Sequence, residues 1–209
     1  QVVEFVDSTP DGLSLEAASV LTNMTVEMGA VSGLLAQRMA GDESGSRPGT
    51  SLSLTGLRPV VALPGAPDRV VDAATLGEVR IDAAHIGSCT CGGLSDLESA
   101  ARVLAGRHVA DGVSLFVTPA TRSVLQAAIR NGTAAALVEA GAVLLNPSCG
   151  FCGGIDKGIP AEGEVTLSTG PRNYGSRARI GSQVYLASAA TAAASAVAGR
   201  IVSPVEVLP

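Results

Sequence analysis

The 209-residue sequence has no tryptophan, three phenylalanines and two tyrosines. With aromatics at 2%, it has few rings on which to stack bases, which argues against a single-strand nucleic-acid platform. Lysine is almost absent as well, Lys157 being the only one among 14 basic residues. The net charge is −5 and the pI about 5.0, so no basic surface is implied for nucleic acid. Charged residues make up only 16%, too few for a disordered chain. Four cysteines in a chain this long are too few for a disulfide scaffold. No basic-then-apolar leader is legible, and the longest apolar-rich stretch, Ala187 to Ala198, is too short and too alanine-rich to span a bilayer. The expectation is a reducing, cytoplasmic setting with no membrane partner, in which cysteines serve metals or catalysis.

What is present is aliphatic. Hydrophobic residues reach 46%, and the mean hydropathy is +0.37. A chain of this length buries a sizeable core, built here from Val, Leu, Ile and Ala. The reading begins with a strand at Val2 to Val6 and a turn at Thr9 to Gly12. Ser14 then caps a helix predicted to run to about Met39, on the spacing of Leu21, Met24, Met28, Val31 and Leu35. A Gly/Ser-rich loop, 41–56, separates this segment from the rest, so the domains are read as 1–56 and 57–209.

Beyond the loop, strands and helices alternate. Strands are expected at Pro59 to Leu63, Ile81 to Ile86, Ser114 to Thr118, Ala142 to Leu145, Val165 to Ser168, Val184 to Leu186 and Ile201–Val202. Helices are expected at Ser95 to Leu104, Arg122 to Arg130, Ala134 to Ala140 and Ala189 to Ala198. This alternation predicts an α/β fold with a mostly parallel sheet flanked by helices. Ligands of such sheets sit beyond the C-terminal strand ends. Two glycine turns carrying cysteines and one Gly/Arg loop, 170–181, each follow a strand, so all three are placed on one rim.

The cysteines are the strongest chemical signal. Cys149 and Cys152 are spaced C-x-x-C, and Cys89 and Cys91 stand in Gly87-Ser88-Cys89-Thr90-Cys91-Gly92-Gly93. Thiolates are soft ligands for zinc, copper(I) or iron–sulfur clusters. A redox pair at a helix start is the rival, but Gly153-Gly154 starts a helix poorly. Four-cysteine zinc is another, though C-x-C is not the usual zinc half-site. His85, on a strand, and His108, in a turn, read as ordinary core or surface histidines. Ser148 and Ser168 lie near the cysteines in sequence, with no sign of activation.

Four blocks in order resemble the aconitase superfamily, nearest to the large-subunit branch of 3-isopropylmalate dehydratase. They are Leu13 to Ala17 with Asn23 to Ala30, Gly87-Ser88-Cys89-Thr90, Cys149-Gly150-Phe151-Cys152-Gly153, and Arg172-Asn173-Tyr174 with Arg177. The resemblance implies aconitase-like domains lacking the family's N-terminal histidine region and swivel domain. It implies a [4Fe-4S] cluster held by Cys89, Cys149 and Cys152, with an open iron acting as Lewis acid on a hydroxy acid. It places Asn23 beside the cluster and gives Glu27, one helical turn on, a catalytic role near the departing hydroxyl. Arg172 and Arg177 would bind substrate carboxylates, for which a guanidinium fork is suited.

Two departures stand out: Cys91 and Pro171 each replace the family's usual asparagine, so Cys91 is a possible further ligand. The leading expectation is one subunit of a split hydro-lyase for a small hydroxy di- or tricarboxylic acid or the corresponding unsaturated diacid. Partner subunits would supply the missing regions. The alternatives are a non-catalytic iron–sulfur or structural module, or a dehydratase of specialised metabolism with a different iron centre.

Overall fold

The computed structural model describes residues 1–7, 12–36, 49–53, 55–154, 156–174 and 180–208. The chain divides into two compact units, Gln1–Arg58 and Pro59–Pro209.

In the first unit, β1 (Val2–Val6) pairs in parallel with β2 (Ser32–Ala36), and α1 (Leu15–Met24) connects them. Ser14 caps α1 as expected, its hydroxyl accepting from the Ala17 N–H at 3.1 Å. The long helix read from the sequence is corrected. The helix stops at Met24, and Glu27, Met28 and Gly29 continue in a turn whose N–H groups reach back three residues. Gly29, at φ +77°, ends that winding. The apolar spacing at Val31 and Leu35 belongs instead to a strand. Gly33 explains how that strand packs, because a Cβ there would fall 2.6 Å from the Thr25 side chain and 2.9 Å from the Thr22 backbone. The predicted stretch from 37 to Met39 lies outside the described residues.

The second unit is α/β with a seven-stranded, mostly parallel sheet. Its strands are β3 (Val60–Ala62), β4 (Val70–Asp72), β5 (Ala83–Ile86), β6 (Ser114–Val117), β7 (Val143–Leu144), β8 (Val165–Ser168) and β9 (Gln183–Leu186). They lie in the order β4-β3-β9-β8-β5-β6-β7. The strands from β9 to β7 run parallel, while β3 and β4 form an antiparallel edge. Ile201-Val202 is not a strand. Only a single antiparallel bridge, Arg80 to Arg200, brings that segment alongside, and it is followed by a bond from the Ile201 N–H to the Val79 carbonyl.

The helices are α2 (Leu94–Leu104), α3 (Arg122–Arg130), α4 (Thr133–Glu139) and α5 (Ala189–Ala198). The core is aliphatic, as the composition requires: Ile86, Leu97, Leu104, Leu115, Leu137, Leu167 and Ile201 are fully buried. The near-poly-alanine α5 is buried over most of its length, and its small side chains suit close packing against the sheet and α2. Among the described residues no helix is long and apolar enough to cross a membrane.

The topology fixes where a ligand can sit. From β5 the chain crosses by α2 to β6 on one side, whereas from β8 it passes to β9 on the other. Neighbouring strands whose connections leave in opposite directions open a crevice at their C-terminal ends. The first cysteine turn follows β5 and the arginine loop follows β8.

Candidate functional site

The Cys89 turn leaves β5 through Gly87, at φ +101°. A Cβ on Gly87 would fall 1.9 Å from the Thr118 carbonyl oxygen, and one on Gly92 would fall 2.5 Å from the same atom. Only glycine lets the turn lie against the end of β6. On the other flank stands Thr169, just beyond β8. Its hydroxyl accepts from the Gly87 N–H at 2.8 Å and donates to the Cys91 carbonyl at 3.2 Å. The Ser88 hydroxyl accepts from the Thr90 and Cys91 N–H groups inside the turn.

The second cysteine loop follows β7. Ser148 donates to Asp156 Oδ2 and accepts from the Gly150 N–H at 3.1 Å. This bond holds the Asp156 carboxyl below its ordinary value. Ser148 is therefore a loop lock rather than an activated nucleophile. A single 3₁₀ turn, Gly150–Gly153, then carries Phe151 and Cys152 into the interior and ends at Gly154 in the left-handed region. Phe151 packs on His85, with ring centroids 4.4 Å apart, and Phe116 stacks on the same imidazole at 4.8 Å. His85 is thus the buried core histidine expected. Burial lowers its pKa to about 3, against an opposing hydrogen bond with the Gly158 backbone, and its Nε2 is buried without a partner. His108 is exposed.

These loops bring thiols together. Cys89 and Cys149 are exposed and hydrogen-bond to each other, and Cys152, buried, is near enough for its charge to act on Cys89. Burial, then the Cys149 charge and hydrogen bond, then the Cys152 charge push the Cys89 thiol up. Metal binding there must displace a proton. Ser168 accepts from the Gly170 N–H at 2.9 Å, and a Cβ on Gly170 would stand 3.6 Å from Cys152 Cβ. Cys91 is buried, its sulfur 3.6 Å from Thr90 Oγ1, and burial raises its thiol to about 11. Such a thiol stays protonated at neutral pH and behaves as a small apolar group.

Among the described residues no three His, Cys, Asp or Glu side chains close around a single metal ion. A cubane asks for something different. It offers each thiolate its own iron, so its ligands stand further apart than those of one ion. Neighbouring thiols at a strand-end rim, carried on two glycine-rich turns, fit that donor set.

Arg172 is half-buried in the loop after β8, beside buried Pro171. Asn173 anchors this loop: its Nδ2 donates to the Leu63 carbonyl at 2.7 Å, and its own carbonyl accepts from the Gly65 N–H at 3.2 Å. Arg177 lies outside the described residues. Asn23, in the last turn of α1, and Glu27, in the turn after it, belong to the first unit. Since α1 ends between them, the expectation of a shared helix face is corrected. Asn23 Oδ1 is shielded and accepts no hydrogen bond.

Residues 51–199 match the aconitase family (aconitate hydratase). The chain belongs to the aconitase family. Aconitase-family relatives include a 3-isopropylmalate dehydratase large subunit 2 from Archaeoglobus fulgidus, 37% identical over 100% of this chain and 55% of its own length. The 3-isopropylmalate dehydratase large subunits of Lachnoclostridium phytofermentans and Campylobacter curvus are each 39% identical, over 98% and 99% of this chain and 53% and 54% of their own lengths. The chain therefore spans about half the length of the curated relatives it matches.

For an aconitase-family chain, the supports of the cysteine rim went unseen in the sequence. Thr118, Thr169 and Asn173 hold the loops, through bonds spanning 78 to 110 positions in the case of Thr169 and Asn173. The only local hint was a threonine just past a strand and just before a glycine.

Proposed function

We propose that this chain carries the cluster-bearing part of a hydro-lyase of the isopropylmalate dehydratase type, acting on a small hydroxy di- or tricarboxylic acid. The observation that carries the reading is the gathering of Cys89, Cys149 and Cys152 at the strand-end rim that also bears Arg172. These cysteines are the ligands of a [4Fe-4S] cluster in this reading. When bound, the cluster supplies a Lewis acid for the substrate hydroxyl.

The chain's own residues do the rest of the positioning. Arg172 and Arg177 each take a carboxylate through paired charge-assisted hydrogen bonds, which fixes the carbon skeleton against the rim. By the family resemblance Asn23 and Glu27 are catalytic, with the Glu27 carboxylate working on the proton of the departing or returning water. The base that removes the neighbouring C–H proton comes from a partner chain. The relatives' designation as large subunits supports a smaller partner.

The test is anaerobic purification with iron and sulfide analysis, followed by assay with the partner chain. Loss of enoate absorbance reports hydration of an unsaturated diacid. The expected protein is brown. Cys149→Ser and Cys152→Ser remove iron and sulfide together. Arg172→Lys and Arg177→Lys keep the iron but weaken diacid binding, by about 2–5 kcal/mol for each lost pairing, whereas Arg200→Lys leaves binding unchanged. Colourless protein with stoichiometric zinc refutes the cluster. An iron–sulfur protein that binds no hydroxy acid or unsaturated diacid, alone or assembled, is a structural module instead.

A further inference from the structure

The parallel ladder between β5 and β8 ends at the pair His85–Ser168. The Thr169 N–H still reaches the His85 carbonyl at 3.0 Å, but the next backbone donor, Gly87 N–H, has no strand carbonyl to meet. The Thr169 hydroxyl takes its place, accepting that N–H at 2.8 Å. The same oxygen donates its own hydrogen to the Cys91 carbonyl at 3.2 Å. Both bonds are buried. One hydroxyl thus ties down both ends of the turn whose exposed tip is Cys89. The opposite flank is closed by the Thr118 carbonyl pressed on Gly87 and Gly92. Its ends are gripped from two sides, and its tip meets Cys149.

We propose that Thr169 is the positioning residue that sets the Cys89 thiol at cluster-binding distance from Cys149 and Cys152, and that it does so through its hydroxyl alone. The proposal rests on the reading of Cys89, Cys149 and Cys152 as cluster ligands. It adds that the arginine loop, which begins at Thr169, and the first cysteine turn are built as one piece.

The side chain allows a clean test. Thr169→Val keeps shape and branching but removes both bonds, and Thr169→Ser restores the hydroxyl. Ser195→Ala is the control: it removes another buried side-chain bond in the same unit, from the Val202 N–H to Ser195 Oγ, in α5.

The first measurement needs no metal. In a Cys91→Ala/Cys152→Ser background, which leaves only two thiols, capture of phenylarsine oxide by the reduced protein reports whether Cys89 and Cys149 can bind one arsenic together. The expected result is capture slowed about tenfold by Thr169→Val, normal with Thr169→Ser and normal with Ser195→Ala. The second measurement is the decay of cluster absorbance in air after anaerobic reconstitution, with iron and sulfide counted. Thr169→Val should lose its cluster about tenfold faster than the other two, after allowance for its unfolding midpoint.

Equal capture and equal decay in all three variants overturn the proposal, as does a Ser195→Ala defect matching that of Thr169→Val. If the unaltered protein takes up no iron but the arsenical still separates Val from Ser, the cluster reading fails and the clamp on Cys89 stands.

Discussion

Replacing Gly87 by alanine should be among the costliest single-methyl additions in the second unit, and the geometry breaks the cost into parts. Gly112 sits at φ +82° with nothing within 4 Å of an added Cβ, so Gly112→Ala meets only the backbone penalty. That is about 1–2 kcal/mol, partly offset by about 0.4–1 kcal/mol from a less flexible unfolded chain. Gly92 has no positive φ, but its Cβ would fall 2.5 Å from the Thr118 carbonyl oxygen and 2.8 Å from that of Ser88. Gly92→Ala therefore meets only the overpacking cost, about 1–3 kcal/mol. Gly87 carries both burdens, at φ +101° and 1.9 Å from backbone. Reaching ordinary contact would require the turn or the β6 end to retreat by roughly 1.5 Å. The sum, after the same offset, is about 1–5 kcal/mol, or a fall in midpoint of about 2–20 °C for a chain of this size. Thermal and urea unfolding followed by circular dichroism should rank the variants Gly112→Ala, Gly92→Ala, Gly87→Ala in rising cost. A Gly87→Ala protein that melts with Gly112→Ala would refute the claim that the Cys89 turn is pressed against β6.

Two further outcomes follow from the same rim. The unfolded chain takes up a proton at His85 near 6.5 that the native chain refuses until about 3, so stability is present above 6.5 and is lost as pH falls toward 3. Urea midpoints should therefore drop between pH 7 and 5, with this residue contributing up to about 1.4 kcal/mol per pH unit; His85→Phe, which keeps a ring beside Phe116 and Phe151, should flatten that slope, and an unchanged slope would refute the assignment. Cys91→Ala should retain iron, sulfide and the EPR spectrum of the reduced protein, because the Cys91 thiol is buried against Thr90 and held protonated; a changed spectrum or lost iron would make Cys91 a ligand.

The sheet was legible because its strands are short aliphatic runs bracketed by glycine, and because helical spacing between them demands parallel crossovers. The convergence of three loops on one rim followed from the same alternation. The first unit was misread for a physical reason. Met24, Met28, Val31 and Leu35 keep helical spacing across a turn, and nothing in hydrophobic periodicity registers that Gly33 must slide against Thr22 and Thr25. The antiparallel edge escaped too, since β4 is only the three residues Val70–Asp72 and follows Pro64, Gly65 and Pro67, which read as loop. In the candidate site, the meeting of the two cysteine turns was legible while the contacts that hold them were not. A threonine hydroxyl that serves a turn 82 positions away leaves no local trace beyond its place after a strand and before a glycine.

The loop after β8 shows why such supports matter as much as the ligands. In five consecutive residues, Thr169 ties the Cys89 turn, Gly170 lies against Cys152, and Asn173 fastens to the Leu63 carbonyl at the antiparallel edge. Arg172 stands between the last two. Pro171, buried at the centre, fixes its own φ and brings no N–H that would need a partner. A displacement at any of these positions is therefore felt at the thiols on one side and at the guanidinium on the other. Pro171 thereby stiffens the segment that Thr169, Gly170, Arg172 and Asn173 share.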